Sequence, residues 1–465
     1  MWTTFDDARS IRRTTVQGLF EGYGEELTTS GYDSFAEKAL KTGLSFFFER
    51  FPVALRLSGL VIAQWTGACE EFLTRLHADG ERLSQTFCGG RDIGTAADVR
   101  AGLAESHDGG RAPMVVEFSS GTRLVYKPKD LRLEVAVAKL IGQANDWGAE
   151  LDLRSLVVLE RHVYGWVEYV EHLACAEVDQ IRRYYRRAGM LVALTYALDS
   201  TDMHMENLIA CGEHPVLIDT ELILFADMRE GVDGSARSVL ETGMVPSPHY
   251  ERKGLDISAL GGIGMASQTA SPFDHPNTDR MQPRSSAPLA YERPNVPSLG
   301  QDVVEPQEFI NEIVDGFTTM YRLFMINRDN IIEWLDRVAD ANVRFLFRST
   351  GIYAQVIKTA FSRSGLASES AFEDALTRLG DAVPGERWEP LVQEEIASLR
   401  YLSIPLFTVA AGGREVASGA SSTGLSLPRS PADLGRTRLA ALDEADLHRQ
   451  IELIRACWPS PDHGN

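Results

Sequence analysis

Asp202-Met-His-Met-Glu-Asn207 is followed, about a dozen residues on, by Val216-Leu-Ile-Asp219. Between Asn207 and Asp219 the chain has room for one short hairpin. Leu208-Ile-Ala and Val216-Leu-Ile flank Gly212-Glu-His-Pro, whose turn composition predicts two paired strands. Such a hairpin places Asn207 and Asp219 at neighbouring strand ends, close enough for one cation to bridge them. Upstream, Met114-Val-Val-Glu-Phe118 and Thr122-Arg-Leu-Val-Tyr126 alternate with period two around Ser119-Ser-Gly121, and the second run ends at Lys127. Helical spacing over Leu131 to Ala144 follows, giving strand, strand, helix. Leu156 to Leu159 and Trp166 to Val170 read as further strands. Ile181 to Ala197 reads as a long helix running into Asp202.

An acid, an amide and a second acid at these intervals, after a strand-end lysine, form a phosphoryl-transfer set. The spacing is close to that of a protein kinase's catalytic Asp, metal-binding Asn and second metal-binding Asp. It predicts use of ATP and Mg²⁺. Taken alone, Asp202 to Asn207 would serve equally as a helix cap and turn, and a strand-end lysine such as Lys127 is often simply solvated. Glu134, on the helix after Lys127, is either its ion-pair partner or a surface carboxylate. Glu221 is a further metal or phosphate-site acid, or else a helix-initiating one. In Glu105-Ser-His107-Asp-Gly-Gly-Arg111, Gly109 and Gly110 allow backbone N–H groups to approach phosphate. His107 and Arg111 add hydrogen bonds or charge there, and an ordinary polar turn fits the segment as well.

At 465 residues, 44% of them hydrophobic, the chain can bury a large core divided into subdomains. The pattern divides into a helical region over 1–95 and a core with the nucleotide site over 96–230. A Pro- and Ser-rich excursion over 231–306 resembles an activation loop, and a helical C-terminal lobe occupies 307–465. A net charge of -20 opposes nucleic-acid binding by phosphate neutralisation. Cys69, Cys88, Cys175, Cys211 and Cys457 include no CxxC pair, so neither a disulfide framework nor a zinc site is suggested. The longest apolar run, Val53 to Trp65, is broken by Arg56 and is too short to span a bilayer. With no N-terminal signal pattern, these features predict a cytoplasmic protein without a membrane span.

The same residues resemble the dehydratase domain of class II lanthipeptide synthetases, the LanM family, whose fold is similar to that of lipid kinases. The matching segments are Glu105-Ser-His107 with Gly110-Arg111, Tyr126-Lys-Pro-Lys129, Asp202 to Asn207, Pro215 to Glu221, Asp256-Ile-Ser-Ala-Leu260 and Arg344-Phe-Leu-Phe-Arg348-Ser-Thr350-Gly-Ile-Tyr353. Phe51-Pro52 and Arg75-Leu-His-Ala-Asp79 are similar too. The resemblance implies an α+β, lipid-kinase-like and protein-kinase-like bilobal fold with helical N-terminal and C-terminal elaborations. It implies phosphorylation of Ser or Thr in a leader-bearing precursor peptide, then phosphate elimination to dehydroalanine or dehydrobutyrine. Asp202 would orient or deprotonate the hydroxyl, Asn207 and Asp219 would hold Mg²⁺, and Lys127 would grip phosphate. His204 would stand near the transferred group. Arg344, Thr350 and His107 would serve elimination.

Three departures from the family pattern stand out. Glu105 replaces the usual Asp, moving its carboxylate by about 1.5 Å, and Ser349 replaces a common Pro. The family's Cys-Cys-His zinc cyclase is the third, since these residues hold no match for it; ring closure is therefore expected of a separate cyclase. The alternatives are a peptide kinase that stops at the phosphopeptide and an inactive peptide-binding scaffold.

Overall fold

In the run Arg123-Leu-Val-Tyr-Lys127, period two puts Leu124 and Tyr126 on one face and Lys127 on the other. A computed structural model builds a sheet from that alternation. It describes residues 30–102, 106–228, 237–248, 251–252, 255–261, 273–274, 277–283, 293–382 and 385–458. Glu105 and parts of the 231–306 excursion lie outside the described residues. The strands are β1 (Ala96–Ala101), β2 (Met114–Phe118), β3 (Arg123–Lys127), β4 (Val158–Glu160) and β5 (Gly165–Glu168). They pair antiparallel in the order β1-β2-β3-β5-β4, with Met114 opposite Tyr126 and Lys127 opposite Gly165. The turn at Ser119-Ser-Gly121 closes with Gly121 N donating to Phe118 O at 2.8 Å. Strand β1 was not anticipated. All six of its residues are exposed, so it carries no buried stripe to read.

The predicted helix over Val53 to Leu83 is longer in the structure, running Pro52–Cys88. Proline in its first turn suits a position whose N–H lacks a helical partner, and Gly89 at φ 61° supplies the left-handed stop. Its first turns bury Phe51, Val53 and Leu57 against Tyr353, Ile357, Phe372, Leu376 and Leu399. Further along, Phe72 and Leu83 pack on Val116, Leu124, Tyr126 and Trp166 of the sheet. One helix therefore braces the sheet against the C-terminal helices. Asp79 is fully buried within it, accepting Trp166 Nε1 at 3.0 Å and pairing with Arg161 Nε at 2.8 Å. The helical pattern over Phe35 to Phe51 breaks into Ser30–Thr42 and Ser45–Arg50, because Gly43 and Leu44 turn to positive φ.

Helices Val178–Ala197 and Ile310–Ile326 form the centre of the largest core. They approach at Gly189 and Gly316. A Cβ on Gly189 would collide with the Ile313 carbonyl, and one on Gly316 with the Arg186 carbonyl. Both obstacles are backbone and cannot rotate away. Gly189→Ala should therefore cost about 2 kcal/mol or more of stability through overpacking, read as a lower urea midpoint. An unchanged midpoint would show that the two helices are not this close.

The second predicted hairpin forms as β6 (Leu208–Cys211) and β7 (His214–Leu217), with Leu208 opposite Leu217. The C-terminal region corrects the helical expectation over 307–465. Asn342–Phe345, Phe407–Ala410, Glu415–Ser418 and Ser421–Ser426 form a four-stranded antiparallel sheet in that order. Three of these strands are four residues long, too short for period two to stand out among the helices around them. Among the described residues, no helix is long and apolar enough to cross a membrane.

Candidate active site

Lys127 ends β3 on the face away from the long helix. Its Nζ donates to the Ile218 carbonyl at 2.7 Å and lies 3.8 Å from Asp219 Oδ2. The chain then passes through Pro128, and two residues beyond Lys127 an extended chain presents the same face again. Lys129 occupies that position. Its Nζ sits 3.1 Å from Asp219 Oδ1, 2.6 Å from Glu221 Oε2 and 3.2 Å from Glu134 Oε1. Burial works against its charge, but Asp219, Glu221 and Glu134 together hold the ammonium well above the usual lysine range. The ion pair expected between Glu134 and Lys127 is thus made by Lys129. Burial raises the Glu134 carboxyl above the ordinary carboxylate range against the pull of both lysines.

Glu221 binds two cations at once. Its Oε2 takes Lys129 and its Oε1 takes Arg344 Nη1. Burial opposes the charge, yet Lys129 and Arg344 overwhelm it and hold the carboxyl well below its ordinary value. The strand Asn342–Phe345 delivers Arg344, and Arg344 N donates to Glu221 O at 3.1 Å, fixing the backbones side by side. With both oxygens committed, Glu221 acts as the link between the lysine pair and Arg344. Arg348, in the same motif, does something different: with Tyr353 Oη it binds the buried Glu395, at 2.9 and 2.7 Å. Thr350 is buried at the first turn of helix Thr350–Ala360.

His107 and Arg111 close a tight turn, exchanging backbone hydrogen bonds of 2.8 and 2.9 Å. Asp108, Gly109 and Gly110 between them all have positive φ, at 40°, 81° and 89°. Two consecutive left-handed residues explain the glycine pair. His107 Nδ1 lies 2.8 Å from the Ile404 carbonyl. A carbonyl only accepts, so the proton is assigned to Nδ1 and Nε2 keeps its lone pair. Burial, followed by the nearby Arg344 guanidinium, pushes this imidazole down to about 4, so it is neutral at pH 7. Arg111, expected on a phosphate, is engaged elsewhere: its Nε and Nη2 hold Glu71 at 3.0 and 2.7 Å. Glu71 also binds Arg75, whose Nη1 donates to Tyr126 Oη at 2.6 Å.

His107, Arg111, Lys127, Lys129, Asp219, Glu221 and Arg344 line one cleft. Asp202, His204, Asn207 and Thr350 are not among the residues lining this cleft, and the Asp202 segment is tied to Asp219 through the hairpin. Ile218 N donates to Asn207 O at 2.9 Å, which sets Asn207 beside the chain entering Asp219. Asn207 Nδ2 donates to the Asp202 carbonyl at 2.8 Å, which fixes the orientation of its amide. Asp202 adopts φ 58°, a left-handed conformation that Asp tolerates better than most residues. His204 is buried, and its Nδ1 accepts from Glu206 N at 3.3 Å, which places the ring proton on Nε2, 4.0 Å from Asp202 Oδ2. The family-like segment at Asp256 braces this loop: Met205 N donates to Ile257 O at 3.0 Å, and Ser258 N to Asp256 Oδ1 at 2.8 Å.

Sequence reasoning gave Lys129 no role of its own, although period two after Lys127 was an available signal. Ile404 and Glu71 carried no signal, since each meets its partner only through packing.

The cleft thus holds two lysines, two arginines, a neutral histidine and clustered carboxylates. Residues 51–410 match the domain of unknown function DUF4135, and the chain belongs to that family. It is also 24% identical over 368 residues to the "Lacticin 481/lactococcin biosynthesis protein LcnDR2" of Lactococcus lactis subsp. lactis. That match covers 73% of this chain and 39% of the relative, so the chain spans about two-fifths of the length of the protein it resembles.

Proposed function

We propose that this protein dehydrates Ser and Thr residues of a ribosomally made precursor peptide in lanthipeptide biosynthesis, on a kinase-like bilobal scaffold. The supporting observation is that one carboxylate, Glu221, joins the Lys127, Lys129 and Asp219 side of the cleft to the Arg344 and His107 side. Phosphorylation and elimination then share a site. The relative's name places that protein in lacticin 481 and lactococcin biosynthesis, which agrees with this reading.

Asn207 and Asp219 would hold Mg²⁺. Among the described residues no three His, Cys, Asp or Glu side chains form a metal cluster. Mg²⁺ does not need one, since it binds through one or two carboxylates plus substrate phosphates and water. When bound, the ion neutralises charge on the ATP phosphates. In the first step Asp202 accepts the hydroxyl proton as the Ser or Thr oxygen bonds to the γ-phosphorus, and the bond to the β-phosphate oxygen breaks with its electron pair leaving on ADP. In the second, His107 Nε2 takes the Cα proton. The C–H pair becomes the new double bond, and the Cβ–O bond breaks with its pair leaving on phosphate. Arg344 and Lys127 receive that anion, and Thr350 lies on the same motif as Arg344.

Incubation of the protein with Mg·ATP and a leader-bearing, Ser/Thr-rich lanthipeptide precursor should yield peptide lighter by one or more waters, read by mass spectrometry. Peptide that gains phosphate and never loses water would replace this reading with a kinase. Unmodified peptide together with no detectable Mg·ATP binding would leave a binding scaffold.

A further inference from the structure

The family match closes at residue 410, yet the loop bearing Asp202 is anchored by residues beyond it. Helices Pro431–Ala440 and Glu444–Ala456 pack on the central helix pair. From the first comes Arg438, almost fully buried. Its Nη1 donates to Tyr196 Oη at 2.9 Å, its Nη2 lies 3.4 Å from Asp199 Oδ1, and its guanidinium covers the Tyr196 ring at 4.6 Å. From the second comes Asp446, whose Oδ2 accepts Tyr196 Oη at 2.8 Å and Tyr321 Oη at 2.7 Å. Asp446 Oδ1 accepts Gln450 Nε2 at 3.0 Å, and Gln450 Oε1 accepts Val239 N at 3.0 Å.

Two contacts of this network reach the segments that hold the Asp202 loop, Arg438 to Asp199 and Gln450 to Val239. Asp199 is buried at φ 52° and opens that loop, and Arg237 grips it from the other side at 3.1 Å. Val239 precedes Thr242, whose carbonyl accepts Met203 N at 2.9 Å. Two left-handed aspartates within four residues, Asp199 and Asp202, persist only where surrounding contacts hold them.

We propose that Arg438 is a positioning residue, and that the helix pair over 431–456, through Arg438, Tyr196 and Asp446, sets the geometry of the Asp202 loop. This buried helix contact thereby governs the rate of phosphoryl transfer without touching ATP. The rate consequence rests on the function proposed above, whereas the loop geometry does not, so the experiment reads both. Hydrogen exchange at the amides of residues 199–204 needs no substrate. Turnover uses Mg·ATP and the same leader-bearing lanthipeptide precursor, with Asp202→Asn as the reference for the role of Asp202.

Arg438→Met should raise exchange at 199–204 selectively and lower kcat on the order of ten- to a hundredfold, with KM for ATP within about twofold, because a misplaced reacting group costs rate rather than binding. Arg438→Lys, which restores a cation beside Asp199, should recover most of both. A folded Arg438→Met with wild-type exchange and kcat overturns the proposal. So does a rise in exchange across the whole core with Arg438→Lys no better than Met, which marks a merely structural arginine. Should Arg438→Met fail to fold, Tyr196→Phe decides by the same two readouts, since it removes only the hydroxyl linking Arg438 to Asp446. Wild-type protein with no turnover removes the proposed function, and an Asp202→Asn protein that turns over normally removes only the role of Asp202; in either case selective exchange still decides the loop.

Discussion

Asp219→Asn is expected to abolish Mg·ATP-dependent modification of the precursor peptide. Asp219 accepts Lys129 and faces Lys127, and it stands beside Asn207 across the hairpin base. An amide of the same shape keeps the space filled but removes the anionic ligand that Mg²⁺ prefers. The loss should exceed about a hundredfold, in keeping with the removal of one electrostatic contact made in the transition state. Global stability should change little, because Lys129 retains Glu221 and Glu134. Mass spectrometry of the peptide after incubation measures the first effect, and a thermal melt the second. Normal modification by this variant would take Asp219 out of the site.

Arg344→Ala and Thr350→Ala are expected to separate the two steps. Wild-type protein should release peptide lighter by water, and both variants should accumulate peptide heavier by phosphate. Phosphoryl transfer draws on Asp202, Asn207, Asp219 and the lysines, whereas a departing phosphate with nearly two negative charges needs a further cation. Arginine suits that task because its planar fork holds two oxygens at once. Arg344→Ala also leaves the part-buried Glu221 with Lys129 alone, and breaking even a fully buried pair costs about 3–5 kcal/mol. Arg344→Lys keeps the charge and serves as the folded control. Loss of phosphorylation and dehydration together in a folded Arg344→Lys protein would count against divided roles.

Much of the local structure was legible. The strands ending at Phe118 and Lys127, the helix before Asp202 and the hairpin beyond it lie close to where period and turn residues put them. Asn207 and Asp219 come together because a two-strand hairpin is a short-range object, and its own turn sets its register. The C-terminal strands were missed because four residues of alternation carry little signal between helices. Arg344 therefore stood on an unread strand, and its importance came only through family resemblance.

The sequence by itself determined the element order through the site, the hairpin that pairs Asn207 with Asp219 and the face on which Lys127 and Lys129 stand. Only the tertiary structure decided which lysine neutralises which acid. Lys129 meets Asp219 across 90 residues, Arg344 meets Glu221 across 123, and His107 meets Ile404 across 297. Period and turn chemistry act over a few residues and dictate backbone shape. The partner of a buried charge depends on which surfaces pack together, and burial then makes each pairing obligatory, because an uncompensated ion in that cleft would be far costlier than one in water.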